Sequence, residues 1–254
     1  MKINTIIVCV AMATICGMAN AQKPYNEAEL YEVDIHVKNT RSSPTISDFV
    51  SAMLEETEDE VHGSMSRDWR QYLSNKPLGN GTTILLDEKN GYFRYDVDFD
   101  KKYGDERGST LYVEVVIWNC ADGQHKLLGE NVGGTINGKP SSGQYDGVIF
   151  YLYNKNTRKM YALNDAIDAA ELSSLTPSQE WQYDGKQWYY AKDHITGERR
   201  QRSSEEFDQW LEDRPMVSLS LPRVGKDITA SVCTTRAKKD RSFKWDGYRF
   251  HLSK

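Results

Sequence analysis

Glycine preceded by asparagine or aspartate recurs along this chain, and it limits what the chain can build. Asn90-Gly91, Asp184-Gly185 and Asp246-Gly247 each sit between runs in which aromatic or branched residues alternate with polar ones. Asp122-Gly123 and Asp146-Gly147 are looser examples, and the gaps are too irregular for a solenoid or propeller period. Both residue types tolerate positive φ, so the pair turns a strand back onto its neighbour. After Gly91, Phe93, Tyr95, Val97 and Phe99 point one way and Arg94, Asp96, Asp98 and Asp100 the other. Leu111 to Trp118 is apolar on both faces except at Glu114, which marks a central strand. Further hairpins are expected over Val148–Leu163, Val217–Val232 and Phe243–Phe250, and Gly133-Gly134 reads as part of a loop.

Helical signals are fewer. Ser47 or Asp48 can cap a helix through Phe49, Val50, Met53 and Leu54, followed by the acidic run Glu55–Glu60. Trp69, Tyr72 and Leu73 suggest a second short helix. Asn164 can cap a third through Ile167 and Leu172, and Ser203 or Ser204 a fourth behind Glu205 and Glu206. The expected class is therefore α+β, predominantly antiparallel β hairpins and meanders with a few short helices. Thr176-Pro177-Ser178 divides an N-terminal α+β part, 22–175, from a C-terminal β-rich part with one helix, 178–254, unless it is a turn within one continuous domain.

Residues 1–21 read as a secretory signal peptide. Lys2 precedes the apolar stretch Ile3–Met18, and Ala19-Asn20-Ala21 fits the small-x-small cleavage rule before Gln22. A lipoprotein signal would acylate Cys16, but Ile15 stands where a small residue is needed. No later stretch is apolar enough to span a bilayer. The expected location is secreted or periplasmic. Loss of the leader removes one lysine and no acid, taking the net charge from −5 to −6. That acidity excludes a general nucleic-acid binder. Of four cysteines, Cys120 and Cys233 remain after cleavage, and an oxidising compartment would let them pair. A bridge closing about 110 residues would contribute about 4 kcal/mol in the chain-entropy picture.

Chemical signals are sparse. Asp96, Asp98 and Asp100 offer alternating hard oxygen ligands and form a weak candidate calcium site, although Lys101 and Arg107 stand where an EF-hand needs Gly and Glu. The five histidines are scattered, with no H-x-x-x-H pair, no G-x-S-x-G and no P-loop, so no catalytic residue and no cofactor is assigned. Glu114, the lone acid of an apolar strand, is the seed of any carboxylate-pair hydrolase. Arg236–Arg241 and Glu198–Arg202 are short basic patches on an acidic chain.

Trp181 to Tyr190 resembles one unit of the choline-binding, cell-wall-binding repeat, through a Trp, the Asp184-Gly185 turn and Trp188-Tyr189-Tyr190. The resemblance covers about ten residues in one copy, whereas such repeats act as stacked units. It makes Trp181, Trp188 and Tyr189 weak candidate ligand contacts, since flat aromatic faces suit amines, sugars and peptides. More broadly, Asn90-Gly91-Tyr92, Trp118 to Gly123 and Tyr151 to Asn154 resemble markers found in uncharacterised exported bacterial proteins, which are sheet-rich and bring no activity. The reading favoured is an exported, non-enzymatic binding or interaction protein whose partner is a glycan or an envelope protein. The alternatives are a glycan-directed hydrolase and a structural envelope component.

Overall fold

A computed structural model describes residues 25–253, except 39–42, 57–59, 105–107, 137–138, 141–146, 176–178, 184–188, 194–197, 207–208, 210–215 and 234–237. Side chains at 56, 60–61, 136, 139–140, 147, 173, 179–183, 189–193, 216, 233 and 238 are also outside the description.

The centre is an eight-stranded antiparallel sheet. It contains β1 (Tyr31–Val33), β2 (Thr82–Asp87), β3 (Tyr92–Asp98), β4 (Thr110–Asn119), β5 (His125–Ile136), β6 (Lys139–Pro140), β7 (Gly147–Asn154) and β8 (Met160–Ala162). The order is β1-β8-β7-β5-β4-β3-β2, with β6 paired to β5. The α+β class is as expected, and β4, apolar on both faces, lies inside the sheet. Strand alternation then sorts two cores. Phe93, Tyr95, Val97, Val113, Val115, Leu128 and Tyr153 pack under α1 (Ile46–Glu56) and α2 (Glu60–Leu73). Tyr92, Val116, Trp118, Leu127, Phe150 and Leu152 face the opposite way, against a second sheet.

That second sheet comprises β12 (Met216–Ser220), β13 (Ile228–Cys233), β14 (Lys238–Trp245) and β15 (Phe250–Leu252) in sequential order. Ile228, Ala230, Phe243 and Phe250 from this sheet join the core begun by Trp118 and Phe150. Trp118 Nε1 donates to the Lys226 carbonyl at 2.9 Å, and Phe250 N to the Ala166 carbonyl at 2.8 Å. The segments on either side of residues 176–178 therefore share one hydrophobic layer. In sequence, between β8 and β12, comes a separate three-stranded sheet of β9 (Gln179–Tyr183), β10 (Tyr189–Asp193) and β11 (Arg199–Arg202), in the order β11-β10-β9.

Several local expectations change. Asp184-Gly185 and Asp146 lie outside the described residues, and the described Asx-Gly turns do not use two residues with positive φ. Gly91, Gly123 and Gly247 adopt φ of 64°, 68° and 108°, while the preceding residues do not. Carboxylates hold these turns instead. Asp122 Oδ1 accepts from Gln124 N and His125 N, and Asp246 Oδ1 accepts from Tyr248 N and Arg249 N. Gly133 and Gly134 lie within the twelve-residue strand β5, not in a loop. A Cβ on Gly133 would come within 2.5 Å of Tyr112 Oη, and one on Gly134 within 2.3 Å of the Thr110 carbonyl. These glycines thus let β4 and its tyrosine lie close, the close-approach use of strand glycine. β3 ends at Asp98, where α3 (Phe99–Tyr103) begins, and α4 (Ala169–Ser173) is capped by Asp168 instead of Asn164. Ser203 and Glu206 form the expected reciprocal cap, with Glu206 N donating to Ser203 Oγ and Ser203 N to Glu206 Oε2.

Candidate functional site

The register of β3 and β4 places Arg94 opposite Glu114 and Asp96 opposite Tyr112. All four lie on the sheet face that the second sheet covers farther along, at Tyr92 and Trp118. Where that cover stops, an open depression of about 490 Å³ remains. Its lining includes Thr82, Thr83, Arg94, Asp96, Lys101 and Tyr112. Gly81 shapes the rim with φ of 73°, and a Cβ there would meet the Asp98 carbonyl at 2.5 Å. Only glycine relieves both constraints.

Charges in the depression are already paired. Arg94 Nε donates to both Asp96 oxygens at 2.9 Å, and its Nη2 to Asp96 Oδ1 at 2.7 Å. Its guanidinium also lies over the Tyr112 ring, 4.5 Å from the centroid. Burial opposes the charge on Arg94, but Asp96 and Glu114 outweigh it and raise its pKa. Lys101 pairs with Asp98 at 2.9 Å. The Lys101 side chain and backbone N–H hold the Asp98 carboxyl below its ordinary range. Thr82 stands opposite Val97, so its side chain turns to the helix-covered face; it is 7 % exposed, and its Oγ1 is buried there without a hydrogen-bond partner, out of reach from the open depression. A buried hydroxyl in that state is costly.

Glu114 lies behind this surface, 4 % exposed. Its Oε1 accepts from Tyr92 Oη at 2.9 Å and Arg94 Nη1 at 2.8 Å. Its Oε2 accepts from Asn131 Nδ2 at 3.1 Å and from the Leu221 amide at 3.3 Å. Asn131 Nδ2 also reaches the Leu219 carbonyl at 2.7 Å. Burial and the ionised Glu114 push the Tyr92 phenol up. The carboxylate thus clasps the central sheet to β12 and the residues after it. A group engaged by four donors is built to hold structure, not to exchange protons with a substrate.

The three aspartates of the candidate calcium site do not converge. Asp96 is taken by Arg94, Asp98 caps α3 through Lys101 N, and Asp100 accepts from Gly108 N and Ser109 N. The physical cause is the helix: strand alternation stops at Asp98, so Asp100 leaves the face it was expected to share. No group of three metal-ligating side chains occurs among the described residues. Cys120 is a free, buried thiol whose pKa is pushed up to about 12 by burial and by Asp122. Ala121 N bonds the Gly247 carbonyl beside Trp245, whereas Cys233 pairs with Lys238 at the opposite end of β14. Seven strand residues separate those ends, about 23 Å at 3.3 Å each, and a disulfide needs Cα atoms within about 7 Å. The register therefore keeps Cys120 and Cys233 apart, and the expected bridge is not formed here.

Of the aromatic candidates, Trp181 sits opposite Ala191 and Tyr189 opposite Tyr183 in the three-stranded sheet. Their side chains, and Trp188 altogether, lie outside the described residues. Of the acidic run, Glu55 pairs with Lys38 on the surface. Arg241 of β14 sits opposite Ala230 of β13, and Arg200 forms a surface pair with Glu198. Sequence reasoning missed Arg94. The signal for it was its place among the alternating acids of β3. No helix among the described residues is long and apolar enough to cross a membrane. Against models of known families, curated proteins and solved structures, the chain matches none.

Proposed function

We propose that this chain is an exported, non-enzymatic binding protein that takes a neutral, hydroxyl-rich ligand, a glycan, in the depression over β2, β3 and β4. The observation that carries this reading is the lining of that depression, where Arg94 with Asp96 and Lys101 with Asp98 are already paired beside the Tyr112 ring. Charge pairing supports the neutral class. A charged ligand would have to compete with Arg94–Asp96 or Lys101–Asp98, at 2.7 and 2.9 Å. A sugar hydroxyl donates and accepts at once, so it can use spare lone pairs on Asp96 and the Thr83 hydroxyl, opposite Asp96 on the same face, without breaking either pair. The signal-peptide layout of residues 1–21 supports export. The engagement of Glu114, Asp96 and Asp98 by internal donors favours binding over a two-carboxylate hydrolase.

The test is calorimetric titration with neutral, acidic and amino oligosaccharides, alongside thermal melting. A neutral oligosaccharide at a hundredfold excess over its Kd should add about 2.7 kcal/mol. Thr83→Val should weaken that binding at least tenfold. Binding confined to acidic or cationic saccharides, or equal binding by the valine variant, overturns the assignment.

A further inference from the structure

Where the hairpin turns of both sheets meet, the chain crosses its own N-terminal segment. Tyr25, 5 % exposed, donates its hydroxyl to the Tyr248 carbonyl in the β14–β15 turn. Its ring stands edge-on to His125, 5.7 Å between centroids. The buried Cys120 thiol belongs to the same cluster as Tyr25. Two residues on, Glu27 Oε1 lies 2.9 Å from His125 Nε2 and accepts from Asn154 Nδ2 at 2.6 Å. The other ring nitrogen, Nδ1, lies 2.6 Å from Asp122 Oδ2. The imidazole thus bridges Glu27 and Asp122, one ring nitrogen to each carboxylate.

We propose that the segment Tyr25–Leu30 is a hydrogen-bonded latch that seals the Cys120 thiol, and that neutralising the carboxylates around His125 opens it. The segment buries a single large apolar side chain, Tyr25, and Leu30 is only partly covered. Its hold on the body therefore rests on Tyr25 and Glu27 together. Bordering cations do not replace His125. Lys155 Nζ is bonded to the Gly123 carbonyl, Arg249 to Asp165, and Lys159 to Glu32.

The direction of the pH response follows from the same contacts. Burial opposes ionisation of Glu27, but His125, Asn154 and Tyr161 outweigh it and hold the carboxyl below its ordinary 4.5. Asp122 is likewise held below its ordinary 3.8, against burial, by His125 and backbone N–H groups. Depressed carboxyls give contacts that are complete above the ordinary values and lost as pH falls through the folded ones. The latch is therefore closed near neutral pH and opens in acid, as pH falls through the depressed folded values of Glu27 and Asp122.

The experiment labels the full chain with 4,4′-dithiodipyridine, which reacts in acid. Modification of the Cys120 peptide is read by mass spectrometry, with hydrogen exchange of β4 and β5 recorded in parallel. Lowering the pH from 7 to 3.5, or Glu27→Gln at pH 7, should speed Cys120 labelling at least tenfold while β4 and β5 amides stay protected. His125→Gln should do the same. Unchanged labelling in these cases refutes the latch. So does labelling that rises only in step with lost β4 and β5 protection, which is global unfolding.

Discussion

Replacing Glu114 separates a structural carboxylate from a catalytic one. Glu114→Leu removes the acceptor shared by Tyr92 Oη, Arg94 Nη1, Asn131 Nδ2 and Leu221 N. Asn131 keeps the Leu219 carbonyl, and Arg94, whose side chain is 31 % exposed, keeps Asp96 and water. Two groups are left orphaned in the core: the Tyr92 hydroxyl and the Leu221 amide. At about 1–3 kcal/mol each, the loss is about 4 kcal/mol. For a chain of this size, about 2–4 °C per kcal/mol gives a melting decrease of about 8–16 °C. Glu114→Gln keeps the shape but turns an amide N–H₂ toward two donors whichever way it is set, so it should cost about 2 kcal/mol. The assay is thermal melting by circular dichroism, with Tyr92→Phe as a background. In that background the leucine substitution should cost about 1–2 kcal/mol less, because one orphan is already gone. A catalytic carboxylate behaves oppositely, since its removal commonly leaves stability unchanged or raises it. Unchanged or raised melting in Glu114→Gln would refute the clasp.

Other substitutions test other parts of the argument. Thr82→Val removes a buried hydroxyl without a partner and should raise stability of the ligand-free protein by about 1 kcal/mol, read from urea midpoints; a loss would mean the hydroxyl is satisfied. Gly129→Ala should cost about 1–3 kcal/mol, because its Cβ would meet Trp118 Cζ3 at 3.0 Å and Phe150 at 3.2 Å. Gly63→Ala, in α2 with nothing within 4 Å, should instead stabilise by about 0.5–1 kcal/mol. Residues 22–175 expressed alone should fail to melt cooperatively, since Trp118, Leu127 and Phe150 would lose the cover of Phe243 and Phe250. Urea midpoints of the intact chain should fall as pH drops below 4.5 through the folded values of Glu27 and Asp122, and Glu27→Gln should flatten that slope.

The hairpins were readable because their causes are local. Alternation from Tyr92 to Val97, the apolar run at Val113–Trp118 and the Asx-Gly pairs each act within a few residues of themselves. The β2–β3, β4–β5, β7–β8, β12–β13 and β14–β15 pairings follow from them. Misreadings occurred where a neighbour from another strand intervened. Gly133-Gly134 reads as a loop by composition, yet Tyr112 and Thr110 across the strand need those positions empty. The alternation of Asp96, Asp98 and Asp100 breaks because Asp98 caps a helix, a choice helped by Gly81, whose carbonyl accepts from Asp98 N at 2.7 Å.

The candidate site was barely readable for the same reason. Glu114 stood out as an acid in an apolar strand, but its role depends on donors 22, 20, 17 and 107 residues away. Arg94 is an ordinary surface arginine by pattern until β4 brings Tyr112 and Glu114 beneath it. From its residues alone this chain was bound to form antiparallel hairpins with few helices, because side-chain alternation and turn chemistry act over three to six residues. Folding in three dimensions settled which sheet face each core used, whether Cys120 meets Cys233, and where a hydroxyl is left without a partner. Burial and hydrogen bonding depend on which segments become neighbours in space, and no short stretch of sequence carries that distance.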